Sequence, residues 1–236
     1  MITADQMKAA AAEAAALLVE DGMIVGLGSG STAALAVSAI GKRVAGGLRL
    51  TGIPTSEKTA AEARSLGIPL STMEEHHRID LTIDGADEVE RGTLNLIKGR
   101  GGALLREKIV ASASERLVIA VDETKLVDRL CPGGQPIPVE VETFGWQAAA
   151  ERLRAMSAGW TLRLNAEHRP FVTDGGHFIL DCVFPAFDSA IELQRRLDEM
   201  VGIVENGLFL GMTSEVFVGH PDGRGGATAD RMRTGA

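Results

Sequence analysis

Short apolar segments alternate with helix-forming segments through the first half of this 236-residue chain. The pattern predicts strands over residues 23–27, 48–53, 79–83 and 117–121, and helices over 3–20, 31–44, 56–66 and 103–114. Because each helix returns the chain to the same end of the sheet, such alternation produces parallel strands with helices on both faces. Ligands bind these sheets at the carboxyl ends of the strands. The chain is therefore predicted to begin with a Rossmann-like α/β domain that binds its ligand at that edge.

The order of elements changes after the Cys131-Pro132-Gly133-Gly134 turn. The segments that follow are predicted as strand, helix, strand, strand, helix and strand, over 137–141, 145–157, 161–164, 177–183, 189–200 and 203–205. This order is the split βαβ pattern of a ferredoxin-like unit. We therefore predict a Rossmann-like domain over 1–130 with about 206–220, and a smaller ferredoxin-like α+β domain over 131–205. The polar, glycine-containing segment 221–236 is expected to be a flexible tail.

Composition argues against several classes of function. The formal net charge of −8 argues against a nucleic-acid-binding protein, which needs a basic surface. Cys131 and Cys182 form no C-x-x-C pair, which favours reduced thiols in the cytoplasm. Residues 1–8 lack the cationic start of a signal peptide, and the alanine-rich run 9–19 is too short to cross a bilayer. We expect a cytoplasmic protein with neither a nucleic-acid nor a membrane partner.

The first candidate site is the glycine-rich segment 26–33, which joins a predicted strand to a predicted helix. Glycines there permit a tight turn whose N–H groups face an anion, and hydroxyl donors come from Ser29, Ser31 and Thr32. An ordinary glycine turn with an N-capping serine is the structural alternative. A dinucleotide loop is a second alternative, because the segment also fits G-x-G-x-x-G/A, but no acid ends the next strand. The hydroxyls favour a phosphate monoester.

Acidic side chains follow the third predicted strand, in the segment Asp84-Gly85-Ala86-Asp87. If Asp84 and Asp87 both face the site, they can hydrogen-bond sugar hydroxyls or move protons. An Asp- and Gly-rich turn without function is the alternative. A metal site is also conceivable there, but the segment lacks histidine partners and favours no ion.

A glycine-rich segment that begins at Lys98 leads into the fourth predicted helix. Lys98 and the glycine N–H groups are suited to stabilise an oxyanion. Glu107 lies about one turn inside the helix, and burial would raise its pKa toward that of a general base. The alternatives are a surface Glu107 paired with a neighbouring cation and, for Lys125 after the next strand, a solvated loop lysine.

Together these segments resemble the type A ribose-5-phosphate isomerase family. The resemblance follows the chain in order through 28–33, 84–88, 98–108, Lys125, 138–141, 172–174 and 179–181. It implies interconversion of D-ribose 5-phosphate and D-ribulose 5-phosphate through a cis-enediolate, in the non-oxidative branch of the pentose phosphate pathway. It also implies no metal and no cofactor, and a homodimer or homotetramer to which the small domain contributes.

The resemblance also implies roles for particular residues. Glu107 would be the catalytic base, with Asp84 and Lys98 as the other catalytic residues. The substrate-binding set would be Ser29, Gly30, Ser31, Thr32, Asp84, Gly85, Ala86, Asp87, Lys98, Gly99, Arg100, Gly101 and Lys125. Arg100 stands where glycine is common in the family, so we assign its side chain no role.

Two other functions remain as alternatives at this point. An amino-sugar-phosphate deaminase or a lactonase would need a histidine-containing catalytic set near the acids, which this sequence lacks. A module that senses sugar phosphate without turnover is the second alternative, but the sequence has no helix-turn-helix segment or basic patch to accompany it.

Overall fold

Six α-helices and fourteen β-strands lie within residues 2–234, the part of the chain that this computed structural model describes. The helices are α1 (Ala4–Ala16), α2 (Ser31–Ala45), α3 (Glu57–Ser65), α4 (Leu104–Ser112), α5 (Trp146–Arg154) and α6 (Ala190–Asp198). The strands are β1 (Ile24–Leu27), β2 (Thr51–Pro54), β3 (Leu81–Asp84), β4 (Glu88–Glu90), β5 (Leu96–Ile97), β6 (Leu117–Asp122), β7 (Leu126–Val127), β8 (Ile137–Val141), β9 (Gly159–Leu162), β10 (Phe178–Val183), β11 (Ile203–Asn206), β12 (Leu208–Phe209), β13 (Thr213–Pro221) and β14 (Ala227–Arg233). Every helix predicted from the sequence is present, with ends that differ by a few residues.

The largest sheet has six strands in the order β14-β13-β6-β3-β1-β2. All neighbours in it are parallel except β13 and β14. The predicted parallel sheet is therefore confirmed. Because β1, β3 and β6 are adjacent, the loops that follow them meet at one edge, which is where a ligand site is expected.

Helix α1 lies close against this sheet because its buried face is made of alanines. The helix begins at a capping box in which Thr3 and Gln6 satisfy each other's backbone groups, as the T-x-x-Q spacing predicts. Small side chains let the helix backbone approach β13, and at Gly219 a Cβ atom would lie 1.8 Å from the carbonyl oxygen of Met7. Only glycine fits at that contact.

The second sheet has four antiparallel strands in the order β11-β8-β10-β9, with α5 and α6 packed against it. This is the βαββαβ arrangement predicted for a ferredoxin-like unit, so the fold class is confirmed. The edge-to-face pair Trp146 and Trp160, whose ring centroids are 5.8 Å apart, is partly buried and packs against the core of this unit. The domain boundaries at 130/131 and 205/206 remain a prediction.

A third sheet, in the order β12-β5-β4-β7, was not predicted from the sequence. Its strands have two or three residues each, too few to produce a recognisable alternation of apolar and polar side chains. This sheet matters for the site because β5 ends at Ile97, and the backbone N–H of Lys98 donates to the carbonyl of Gly207 at 2.9 Å.

The flexible tail predicted over 221–236 is wrong for most of its length. Strand β14 pairs with β13 in a regular antiparallel register from Ala227 to Arg233 and forms the edge of the large sheet. Arg231 and Arg233 are both ion-paired with the buried Glu215, which anchors the strand. Polarity misled the prediction, because an edge strand is exposed on one side. Residues 235 and 236, the end of the predicted tail, lie outside the described residues.

None of the helices between residues 2 and 234 has the length and apolar character needed to cross a membrane.

Candidate active site

A cavity lies at the carboxyl edge of the large sheet, where the loops after β1, β3 and β6 meet the start of α4. It is lined by Lys8, Ser29, Gly30, Ser31, Thr32, Gly85, Ala86, Asp87, Lys98, Gly99, Gly101, Glu107 and Lys125. Twelve of these residues belong to the set predicted from the sequence, and Lys8 is the addition. Two predicted residues, Asp84 and Arg100, are not part of this lining. Asp84 contacts the lining residues Ser29 and Lys98, whereas the Arg100 side chain pairs with Glu88.

The loop after β1 forms one wall of the cavity and ends at the N-terminus of α2. Gly30 is the N-cap residue, with φ of +94°, and provides no side-chain cap. The predicted alternative of an N-capping serine is therefore not what forms. The first turn of the helix thus presents backbone N–H groups and the positive end of its dipole toward the cavity.

Lys8 lies on α1 and adds a cation to this wall. Its Nζ atom is 3.5 Å from the hydroxyl of Ser31, and its side chain is largely buried. Sequence reasoning missed Lys8 because it belongs to no motif. Only the packing of α1 against α2 brings it to the site.

Hydroxyl groups within residues 55–59 hydrogen-bond to the loop after β1 and hold it in place. The hydroxyl of Ser29 is 2.7 Å from that of Thr55 and 2.8 Å from that of Ser56. The hydroxyl of Thr59 donates to the carbonyl of Gly28 at 3.0 Å. These hydroxyls support the loop, and Ser56 also caps α3.

Asp84 ends β3 and joins the β1 loop to Lys98. Its Oδ1 atom accepts from the backbone N–H groups of Ser29 at 3.0 Å and of Gly85 at 2.8 Å, and its Oδ2 atom is 2.9 Å from Lys98 Nζ. A Cβ atom at Gly28 would lie 2.2 Å from Oδ1. The glycine at that position therefore makes room for the carboxylate.

Lys98 is buried at the centre of the site, with 3% of its side chain exposed. Its ammonium lies 2.7 Å from the carbonyl oxygen of Gly85, 2.9 Å from Asp84 and 3.3 Å from Glu107 Oε2. Burial alone would lower the pKa of Lys98, but the charges of Asp84 and Glu107 outweigh it and raise that pKa above its ordinary value. Lys98 is therefore a fixed cation at neutral pH.

Glu107 faces the cavity from the first turn of α4, with 5% of its side chain exposed. This burial rules out the surface glutamate considered from the sequence. Burial raises the pKa of Glu107 to about 8, against the opposing effect of the Lys98 charge. Its Oε2 atom lies 3.3 Å from the Lys98 ammonium and makes no hydrogen bond to any other group within residues 2–234. The carboxyl group thus combines a raised pKa with a place on the cavity wall, as a general base requires.

Asp87 lines the cavity opposite this helix, and its Oδ2 atom accepts from the backbone N–H of Arg100 at 3.0 Å. The Arg100 guanidinium pairs with Glu88 at 3.3 Å instead of lining the cavity. Only the backbone of Arg100 therefore belongs to the site. Lys125 reaches the cavity from the 3₁₀ turn after β6, which Asp122 caps.

The fold and the site together define a class of protein. A base of raised pKa lies beside a fixed ammonium, and a helix N-terminus with hydroxyls and lysines lies on the same cavity. The base and the ammonium are suited to remove a proton next to a carbonyl and to stabilise the resulting charge. The helix N-terminus, hydroxyls and lysines are suited to bind an anion such as phosphate. This is the arrangement of an isomerase acting on a phosphorylated carbonyl compound.

Comparison with known proteins gives the family. The family model described as ribose 5-phosphate isomerase A (phosphoriboisomerase A) matches residues 51–223. Ribose-5-phosphate isomerase A of Gloeobacter violaceus is 58% identical over 220 residues, which span 93% of this chain and 94% of the relative. The same enzyme of Gluconobacter oxydans is 54% identical over 217 residues, with 92% and 94% covered.

Solved structures agree with the sequence relatives. Ribose 5-phosphate isomerase A of Methanocaldococcus jannaschii has a TM-score of 0.90 at 39% identity and covers 98% of this chain and 100% of its own. A D-ribose-5-phosphate isomerase in complex with phospho-erythronic acid has a TM-score of 0.91 at 36% identity, with the same coverage. This chain belongs to the ribose 5-phosphate isomerase A family. The family and the isomerase activity predicted from the sequence are thereby confirmed.

Proposed function

We propose that this protein interconverts D-ribose 5-phosphate and D-ribulose 5-phosphate through a cis-enediolate, with Glu107 as the base. The observation that carries this proposal is the buried Glu107 carboxyl, of raised pKa, 3.3 Å from Lys98 on the cavity wall. The phospho-erythronic acid bound by the 36% identical relative supports the proposal. Its carboxylate holds two oxygens and a negative charge close together at the end of a phosphorylated chain. In this respect it resembles the enediolate, whose two oxygens lie on neighbouring carbons.

The substrate phosphate binds at the N-terminus of α2. Ser31 and Thr32 offer hydroxyl and backbone donors there, and Lys8 and Lys125 add two positive charges to the lining of the cavity. Charge-assisted hydrogen bonds of this kind are the strong ones. Gripping the phosphate fixes the acyclic sugar so that C1 and C2 lie between Glu107 and Lys98.

Glu107 then removes the proton from C2 of the open-chain aldose. The electrons of that C–H bond form the C1–C2 double bond, and charge develops on the C1 oxygen. The Lys98 ammonium and the backbone at Gly99 and Gly101 stabilise this charge. Glu107 returns its proton to C1 while the hydroxyl proton passes from O2 to O1, which completes the ketose without loss of atoms or electrons.

Asp84 and Asp87 have supporting roles in this proposal. Asp87 lines the cavity and accepts from sugar hydroxyls. Asp84, 2.9 Å from Lys98, keeps the ammonium charged and in place. We further propose that Asp84 assists the opening of the sugar ring, as the family resemblance implies.

Proton NMR of ribose 5-phosphate in heavy water, with purified protein and excess EDTA, tests the proposal. We expect ribulose 5-phosphate that carries deuterium at C1, at a rate that EDTA does not change. The Glu107→Gln variant, purified identically, is the matched control for isomerase carried over from the expression host. Unchanged substrate with the wild-type protein would refute the function, and loss of activity with EDTA would refute metal independence.

We also propose that the protein is a cytoplasmic homodimer or homotetramer assembled partly through its small domain. Phe144 and Val201, 92% and 79% exposed, support this assembly. Both lie at one end of the four-stranded sheet of the small domain, where the Glu142 N–H donates to the Gly202 carbonyl. Free thiols at Cys131 and Cys182 support the reducing compartment. Molar mass in solution tests the assembly, and cell fractionation tests the location.

A further inference from the structure

We infer that Arg163, a residue of the small ferredoxin-like unit, is a positioning residue for the catalytic loop 98–102. Within residues 2–234 its side chain hydrogen-bonds to Asp181 and to the backbone carbonyls of Gly99 and Arg100, so it would act through the backbone of that loop. This inference rests on the proposed function and adds to it a residue that orients Asp87 and the oxyanion donors. It also gives the small unit a part in catalysis besides assembly.

The Arg163 guanidinium is held by a carboxylate and points at the loop. Its Nε atom donates to Asp181 Oδ2 at 2.9 Å, and its Nη2 atom donates to Asp181 Oδ1. Both partners are mostly buried, with 15% and 23% of their side chains exposed. This two-point pairing fixes the plane of the guanidinium. The remaining Nη1 donor is thereby directed to one place.

That place is the carbonyl side of two consecutive peptide groups in the loop. Nη1 of Arg163 donates to the carbonyl of Gly99 at 2.9 Å and to the carbonyl of Arg100 at 3.1 Å. A peptide group is planar and trans, so its N–H points opposite to its C=O. Fixing these two carbonyls therefore fixes the directions of the N–H groups of Arg100 and Gly101.

Those two N–H groups lie on the catalytic side of the loop. The N–H of Arg100 donates to Asp87 at 3.0 Å, and Asp87 lines the cavity. Gly101 lines the cavity itself. A positive charge on the carbonyl side also polarises each peptide group and strengthens its N–H as a donor. Arg163 thus binds the carbonyl edge of each peptide group and orients the N–H at the opposite edge, which faces the substrate.

The hairpin that carries Arg163 also contacts the far end of the loop, whose backbone depends on two glycines. Gly99 has φ of +100° and Gly102 has φ of +85°, and both values lie in the region that favours glycine. At Gly102, a Cβ atom would lie 2.6 Å from the ring of Phe171, which belongs to the same hairpin as Arg163. The hairpin 163–171 therefore contacts the loop at both ends.

The test measures kcat and KM for ribose 5-phosphate in Arg163→Ala and Arg163→Lys, with Arg169→Ala as the matched control. Arg169 lies on the same hairpin, but it is exposed and pairs only with Glu167 among the described residues. We expect Arg163→Ala to lower kcat by about 10²-fold, since small misplacements of catalytic groups have effects of that size. KM should change much less, because the phosphate grip is untouched. Arg163→Lys should fall in between, since an ammonium lacks the fork.

Chemical rescue separates positioning from a purely structural role. Free guanidinium ion at millimolar concentration should restore part of the kcat of Arg163→Ala and leave wild type and Arg169→Ala unchanged. Inhibition by phospho-erythronic acid should weaken in Arg163→Ala more than KM rises. A kcat equal to that of the control would overturn the inference, as would a loss that follows the folded fraction without rescue. An inactive wild type would refute the proposed function instead.

Discussion

Two buried side chains, Lys98 and Glu107, are the ones on which the proposed mechanism depends most. Both were identified from the sequence. A lysine followed by glycines is suited to stabilise an oxyanion, and a glutamate about one turn inside the next helix is suited to act as a base. The 3.3 Å contact between them could not be predicted, because it depends on the third sheet, whose strands are too short to recognise. Lys8 could not be found at all, since only helix packing brings it to the cavity.

The raised pKa of Glu107 predicts a particular pH dependence. The base must be ionised to accept a proton, so kcat/KM should rise with pH until about 8 and fall roughly tenfold per unit below that. Steady-state rates between pH 6 and 9 measure this directly. Ionisation of the substrate phosphate occurs near pH 6 and so cannot imitate a break near 8. A profile that is flat above pH 6.5 would contradict the assignment of the raised pKa.

Lys98 and Lys125 should differ in which kinetic constant they affect. Lys98→Ala removes the cation beside the developing oxyanion, so we expect kcat to fall by about 10²- to 10³-fold with a smaller change in KM. Lys125→Ala removes the contact that we propose with the substrate phosphate, so KM should rise with a smaller change in kcat. Melting temperatures of both variants identify losses caused by unfolding. A Lys98→Ala variant that loses only affinity would make Lys98 a ground-state contact.

At the scale of elements, periodicity and capping located the long segments well. The Thr3–Gln6 capping box and the strands of the parallel sheet are examples, because each depends on local sequence alone. Strand β14 was missed because its stability comes from a partner strand and from one distant carboxylate. Edge strands with polar exposed sides are indistinguishable from tails in a single sequence.

The carboxylate that anchors β14 is Glu215, which is 2% exposed and paired with Arg116, Arg231 and Arg233. Glu215→Ala removes charge-assisted hydrogen bonds to Arg116 and Arg231, and the arginines that remain are 37–58% exposed and stay solvated, so the free energy of unfolding should fall by about 2 kcal/mol. Urea denaturation measures this change. The control is Arg195→Ala, which breaks exposed pairs with Glu192 and Glu199 and should cost less than about 1 kcal/mol. Equal stability of the two variants would contradict the anchoring role.

At the scale of the whole molecule, all three sheets contribute to one cavity. Loops of the large sheet line most of the cavity. The short third sheet leads directly into Lys98, and Arg163 of the small unit donates hydrogen bonds to the backbone of the loop 98–102. The order of motifs along the chain was enough to predict the family and its fold. It could not show which strands are neighbours, since that follows from long-range pairing.

Exposed apolar side chains on the small unit predict a subunit contact. Phe144→Ser and Val201→Ser should reduce the molar mass in solution if this end of the sheet is buried between copies, because large exposed apolar groups mark interfaces. Light scattering after size exclusion measures the mass. Leu17→Ser, at a similarly exposed residue just beyond α1, is the matched control. A wild-type protein that is monomeric would contradict the assembly.

The proposed mechanism requires Glu107 to carry the proton, and conservative variants at this residue test that role. We would measure turnover of ribose 5-phosphate and its binding by calorimetry in Glu107→Gln and Glu107→Asp. We expect Glu107→Gln to lose turnover by about 10³-fold or more while binding stays within a few-fold, and Glu107→Asp to retain part of the turnover. Turnover that survives in Glu107→Gln alongside normal binding would show that some other group moves the proton.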